Sequence, residues 1–260
     1  MTAKRPALFL LAATLAGLMS ALGAALADSP PCERISYAGD PYTVCEVDLR
    51  KRSVRLYWRQ SDGAPYAYLR ALPHALGAKS GKLLFATNAG MFDPAHKPVG
   101  LYVENGRELV RANTRSGVGN FHMKPNGVFY VADDKAGVLE TSAYLKQRPA
   151  TDFATQSGPM LVINGRLHPK FDRASTSLKT RNGVGVRTAT SIVFAISEGE
   201  VSFNAFGKLF RDRLKCSNAL FLDGGSASSL YSPALGRGGN FRPLGPMLGV
   251  FEKPATSSAR

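Results

Sequence analysis

The sequence is poor in the residues that announce common chemistries. Its four histidines (His74, His96, His122, His168) are scattered and share no short motif with the three cysteines; no CxxC occurs. That excludes a zinc site of the usual ligand spacing. There is no GxSxG nucleophile elbow and no P-loop, and GVGNFH (117–122) and GVGVRT (183–188) each lack the third glycine of a nucleotide cradle. No carboxylate-rich loop argues for calcium, so no cofactor is expected, although a divalent ion near Asp223 stays open. Acids are scarce too: 19 Asp and Glu stand against 33 Lys and Arg, a net charge of +14. A surplus of this sign suits an anionic partner: a phosphate-bearing substrate, an acidic envelope polymer or a membrane surface. The basic residues, among them Arg107, Arg111, Lys146 and Lys208, are dispersed without interleaved aromatics, which speaks against a nucleic-acid module.

Long apolar runs are absent beyond the start of the chain. There, Lys4 and Arg5 precede an apolar stretch from Ala7 to about Leu22, and 25-ALA-27 supplies a small-x-small site before Asp28. This is the pattern of a secretory signal peptide over 1–27. A periplasmic or secreted protein with no membrane insertion after cleavage is expected. Without Lys4 and Arg5 the 33 basic residues become 31 against 19 acids, or +12. In an oxidising compartment Cys32 and Cys45, which bracket a short loop, are expected to pair, leaving Cys216 as a buried thiol.

The remainder reads as one α+β domain over 28–253, with mixed, mainly antiparallel sheets, a few packed helices and a disordered tail from 254 to 260. Alternation predicts strands over 42–49 and 54–58, and an apolar strand over 82–90. An irregular helix over 66–81 is expected to break around Pro73. Asn-Gly turns at 105–106 and 164–165 predict two hairpins, and 127–133 with 137–140 a third. Strands are expected over 190–197 and 200–206, a basic helix from about Phe206 to Cys216, and further strands over 219–223 and 246–251.

Chemistry is sought where polar residues meet glycines at strand ends. NAGMFD (88–93) delivers Asn88, Gly90 and Asp93. The polar loop 113–127 carries His122 and Lys124. SGP (157–159) offers Ser157 and Gly158 ahead of an apolar strand. RNGVGV (181–186) places Arg181 and Asn182 at a strand entrance. LDGGSASS (222–229) ends an apolar run in Asp223, then Gly224, Gly225 and Ser226. Glycines let a ligand approach backbone N–H groups, which together with Arg181 suit a phosphate. Asp223, the one acid at the end of a buried strand, is suited to acid or base work if partial desolvation raises its pKa. The alternative for each stretch is turn chemistry.

In this order, NAGMFD, SGPMLV, an Arg before G-V-G-V, and LDGG followed by serines resemble the phosphodiester glycosidase family, whose motifs read roughly N-G-G-F-F, S-G-P, R-T-A-I-G and L-D-G-G-G-S-S. The resemblance spans about Asn88 to Ser229 and points to a short bacterial envelope branch. It departs at Ala89, at Asn182 with Gly183, and at Ser226 with Ala227. The family includes the uncovering enzyme, which removes N-acetylglucosamine from a phosphodiester. The resemblance implies an exported hydrolase that cleaves a sugar from a sugar-1-phosphodiester. Asp223 would be nucleophile or acid/base, Asn88 would orient the sugar, and Arg181 with Lys124 and amides near Gly158 and Gly225 would hold the phosphate. Asp93 is the first candidate for a second carboxylate. Two rivals remain: a non-catalytic carbohydrate- or polymer-binding protein on the same fold, and a serine hydrolase using Ser157 or Ser226.

Overall fold

The computed structural model describes residues 31–77 and 82–254; the expected leader and residues 255–260 lie outside them. The chain opens with β1 (Cys32–Tyr37), β2 (Asp40–Asp48) and β3 (Arg52–Tyr57), then α1 (Leu72–Leu76) and β4 (Leu83–Asn88). β5 (Tyr102–Glu104), β6 (Arg107–Val110), β7 (Gly127–Ala132) and β8 (Lys135–Glu140) lead to α2 (Thr141–Gln147). β9 (Phe153–Ser157), β10 (Met160–Ile163), β11 (Arg166–Leu167), β12 (Asn182–Thr188) and β13 (Ser191–Ser197) precede α3 (Phe203–Lys208). β14 (Asn218–Phe221), β15 (Leu230–Ser232), β16 (Arg237–Gly238) and β17 (Met247–Glu252) complete the chain.

The strands form three antiparallel sheets, ordered β1-β2-β13-β12-β14-β10-β11, β16-β15-β4-β17-β3 and β6-β5-β9-β7-β8. A shared core locks them together. Phe194 of β13 meets Phe85 of β4 edge-on at 5.6 Å and Phe129 of β7 at 6.0 Å, so one cluster draws on all three sheets. This is the expected α+β class in a single domain.

Local chemistry explains most elements. Asn105-Gly106 and Asn164-Gly165 all take positive φ, the conformation a two-residue hairpin turn requires. Cys32 and Cys45 lie directly opposite in the β1–β2 register and are disulfide-bonded, and Cys216 is a buried free thiol, as expected. Burial pushes that thiol up to about 12. Among the described residues no helix is long and apolar enough to cross a membrane.

Two expectations are corrected. Residues 200–206 are not a strand. Ser202 caps α3 by accepting from Ala205 N at 3.1 Å, and Phe203, Phe206 and Phe210 follow helical spacing into a π-turn over Leu209–Arg213. Pro73 does not break a long helix; it sits in the first turn of the short α1, where its missing N–H is harmless. The glycines of 183–186, short of a third glycine for a nucleotide cradle, lie within β12. β12 is an inner strand, and a Cβ on Gly185 would meet Cys216 Sγ at 2.4 Å. Gly185 is therefore needed for close packing.

Candidate active site

The ends of five strands meet at one edge of the sheets. Phe221 N donates to Pro159 O at 3.1 Å, tying β14 to the turn between β9 and β10. Leu222 N donates to Asn182 O at 3.0 Å, and Asp223 N to Ala89 O at 3.1 Å, so β12 and β4 arrive at the same place. Gly90 N then donates to Thr155 Oγ1 at 3.1 Å on β9. A Cβ on Gly90 would fall 2.4 Å from Gln156 O, so the NAG turn needs a glycine to lie this close to β9.

Asp223 projects from this junction on a loop stapled from several directions. Asn88 is fully buried; its Nδ2 donates to Asp223 O, while its Oδ1 accepts from Asn182 Nδ2 at 2.9 Å and from Ser229 N at 3.0 Å. Ser228 Oγ donates to Thr180 O at 3.2 Å, and Gly225 N donates to the same carbonyl at 2.8 Å. Gly225 takes φ +61°, and a Cβ on Gly224 would strike the Phe221 ring at 2.3 Å, so neither glycine is easily replaced.

The Asp223 carboxyl is mostly buried although the residue keeps some surface. Burial pushes its pKa up to about 7, against the opposing pull of the Gly224 N–H. Among the described residues, no cation and no second acid stands close enough to share its titration. A carboxyl raised in this direction can exchange a proton near neutral pH, as a general base must.

Arg181 lies behind Phe221. It is 1 % exposed; Nε donates to Val201 O at 2.8 Å and Nη2 to Ser177 O at 2.9 Å. Its guanidinium stacks 3.5 Å over Phe203, whose ring meets Phe221 edge-on at 4.8 Å. Burial alone lowers its pKa to about 10, and among the described residues it pairs with no carboxylate. A buried cation left without a counter-ion is costly unless an anion arrives.

The structure therefore unites Asn88, Gly90, Asn182, Asp223, Gly224 and Gly225, with Ser157 and Gly158 on the adjoining turn. Other expectations change. Asn88 is not free to orient a sugar, because its polar atoms are committed to the loop; it positions Asp223. Asp93 is no partner carboxylate, because its Oδ1 accepts from Ala95 N at 2.9 Å and Lys97 N at 3.0 Å within its own turn. His122 Nδ1 bonds Arg115 O at 3.1 Å, and Lys124 Nζ donates to Thr114 O, so both pin a neighbouring loop. Among the described residues, Ser157 Oγ is buried without a hydrogen-bond partner, Ser226 is exposed, and neither hydroxyl is hydrogen-bonded to a base that would activate it.

Sequence reasoning missed Gln156, Ser228, Ser229 and Thr180. Gln156 is 1 % exposed; its Oε1 accepts from Leu101 N and Asn113 N, and its Nε2 donates to Asn113 O and Thr141 Oγ1. The available signal was a polar Thr-Gln-Ser triplet directly before an apolar strand, which reads as a turn but forms the end of β9.

This geometry has relatives. A protein of Escherichia coli (strain K12), YigE, described only as uncharacterized, is 37% identical over 185 residues, which cover 71% of this chain and 72% of its own. The fold is shared with the catalytic domain of zebrafish N-acetylglucosamine-1-phosphodiester alpha-N-acetylglucosaminidase, at 18% identity and TM-score 0.58 over 85% of this chain and 82% of that one. A hypothetical protein from Synechocystis aligns with TM-score 0.54 at 15% identity, over 85% of this chain and 61% of its own. Residues 81–251 match the phosphodiester glycosidase family. The chain belongs to that family.

Proposed function

We propose that the protein is an exported hydrolase that releases a sugar from a sugar-1-phosphodiester, with Asp223 as its working carboxylate. The observation that carries this reading is a single acid, freed of charged partners and raised to about 7 by burial, on a loop held by Asn88, Asn182 and Thr180. The zebrafish relative's name specifies a sugar phosphodiester, which supports the substrate class.

In the proposed reaction the bond between sugar C1 and the phosphate oxygen breaks, and the phosphomonoester leaves with the electron pair. Asp223 either attacks C1, forming an intermediate that water then resolves, or takes the proton of a water that attacks C1. Both routes require the ionised carboxylate. A phosphate ester is already a good leaving group, so the second carboxylate of ordinary glycosidases need not stand beside Asp223. The Arg181 guanidinium, 1 % exposed and seated against Phe203 and Phe221, is too deeply buried to contact the phosphate and braces the Phe221 side of the site instead. Export to the periplasm or the medium is supported by the leader pattern and by the Cys32–Cys45 bond.

A panel of sugar-1-phosphodiesters incubated with the protein tests the reading. Free sugar and a phosphomonoester are expected from at least one member. Retention of a panel member without turnover would favour the carbohydrate-binding rival, and release of a sugar phosphate would place cleavage at the wrong bond.

A further inference from the structure

The NAGMFD segment leaves the Asp223 junction at Asn88 and ends at Asp93 in the wall of an open cleft of ≈ 680 Å³. The opposite wall is the 109–115 segment, which continues from β6, the outermost strand of its sheet. Three cations line the cleft, Lys97, Arg111 and Arg115; all are exposed, and none forms an ion pair among the described residues. The single lining acid, Asp93, has one carboxylate oxygen taken up by two N–H groups of its own turn. Val99 and Leu109, the latter 46 % exposed, add apolar surface to the same lining.

The cleft is built into the same scaffold as the Asp223 junction. Gln156 holds the Asn113 backbone through both its N–H and its carbonyl, one residue away from Ser157. Five residues from Asn88 to Asp93 span at most ~18 Å. One extended ligand of a few sugar units therefore reaches both places.

We propose that this cleft binds the polymer portion of the substrate, a glycan that carries phosphates along its length. The inference rests on Asp223 being the hydrolytic centre. Lys97, Arg111 and Arg115 meet successive phosphates, and the apolar surface of Val99 and Leu109 packs against the sugar rings. Unpaired surface cations across a concave wall concentrate an anionic chain there, and salt weakens the attraction.

Binding is measured without turnover, on Asp223→Asn protein, with phosphorylated dextran as the probe and unmodified dextran as its neutral counterpart. The phosphorylated chain binds at low salt and the neutral chain does not. Replacing Lys97, Arg111 and Arg115 together with alanine weakens binding about tenfold or more. A control triple with the same charge loss, Arg34→Ala, Lys135→Ala and Arg166→Ala on distant exposed positions, weakens it less than ~threefold. Thermal melting confirms that both triples fold. Equal losses in the two triples would overturn the proposal in favour of diffuse attraction, and so would a failure of phosphorylated dextran to bind. If the active protein cleaves no small sugar-1-phosphodiester while the cleft triple alone loses phosphorylated dextran, the hydrolytic reading fails and the cleft stands as a binding site.

Discussion

Asp223 and Asp93 follow the same local recipe, a buried strand that runs into an acid among small residues and turns, yet the fold uses them oppositely. Asp93 spends one carboxylate oxygen on the N–H groups of Ala95 and Lys97, so its acid shapes a turn. Around Asp223 the turn is shaped by others. Asn88 and the Thr180 carbonyl hold the loop's backbone, Ser228 Oγ ties the loop to Thr180 and Asn182, and among the described residues the carboxyl keeps only the Gly224 N–H. An acid is available for chemistry when neighbouring side chains do the structural task it would otherwise perform.

The contrast is sharpest in turnover. Asp223→Asn is expected to lower kcat by roughly 100- to 10,000-fold, the range for loss of a positioned acid or base, as read in a free-sugar release assay. In the same variant stability moves the other way. The folded pKa lies above the unfolded one, so the carboxyl favours folding at low pH, and that contribution is lost as pH rises through about 7. At pH 8 the asparagine variant should be more stable by on the order of 1–3 kcal/mol, less than the full shift because the residue keeps some surface. Denaturant melts at pH 5 and pH 8 check this; an equal difference at both would break the desolvation account.

Asn88→Ala strikes the staples rather than the acid. It strands Ser229 N, Asn182 Nδ2 and Asp223 O, and should destabilise the protein by roughly 2–4 kcal/mol while lowering kcat more than it raises KM. Gln156→Leu should lose about 2–3 kcal/mol by orphaning Asn113 and Leu101, with the strongest hydrogen-exchange change in the 113–115 loop. Asp93→Ala is the mildest, about 1 kcal/mol from the lost turn hydrogen bonds.

Much of this was legible in the residues. Asn-Gly pairs marked two hairpins because few other dipeptides hold two positive φ angles, and LFLD marked a strand ending in an acid. The β1–β2 hairpin escaped because its turn is Ala38-Gly39, where alanine itself takes φ 52°. β9 escaped because Thr155, Gln156 and Ser157 are polar yet buried, their hydrogen bonds supplied by loops distant in sequence. The same reason hid the role of Asn88. An asparagine's partners are a tertiary fact, and its identity alone does not say whether it faces a ligand or a backbone. Arg181 was legible as a cation near the site, but its seat on Phe203 depends on the start of α3, which reads in the sequence as the end of a strand.

The most direct test is the pH dependence of kcat/KM for a cleaved sugar-1-phosphodiester, measured beside the turnover of Asp223→Asn. The account predicts a rate that rises with pH through an apparent pKa near 7 in the wild type, and turnover all but lost in the folded variant. A rate that falls through that pKa, or an asparagine variant as fast as the wild type, would contradict it.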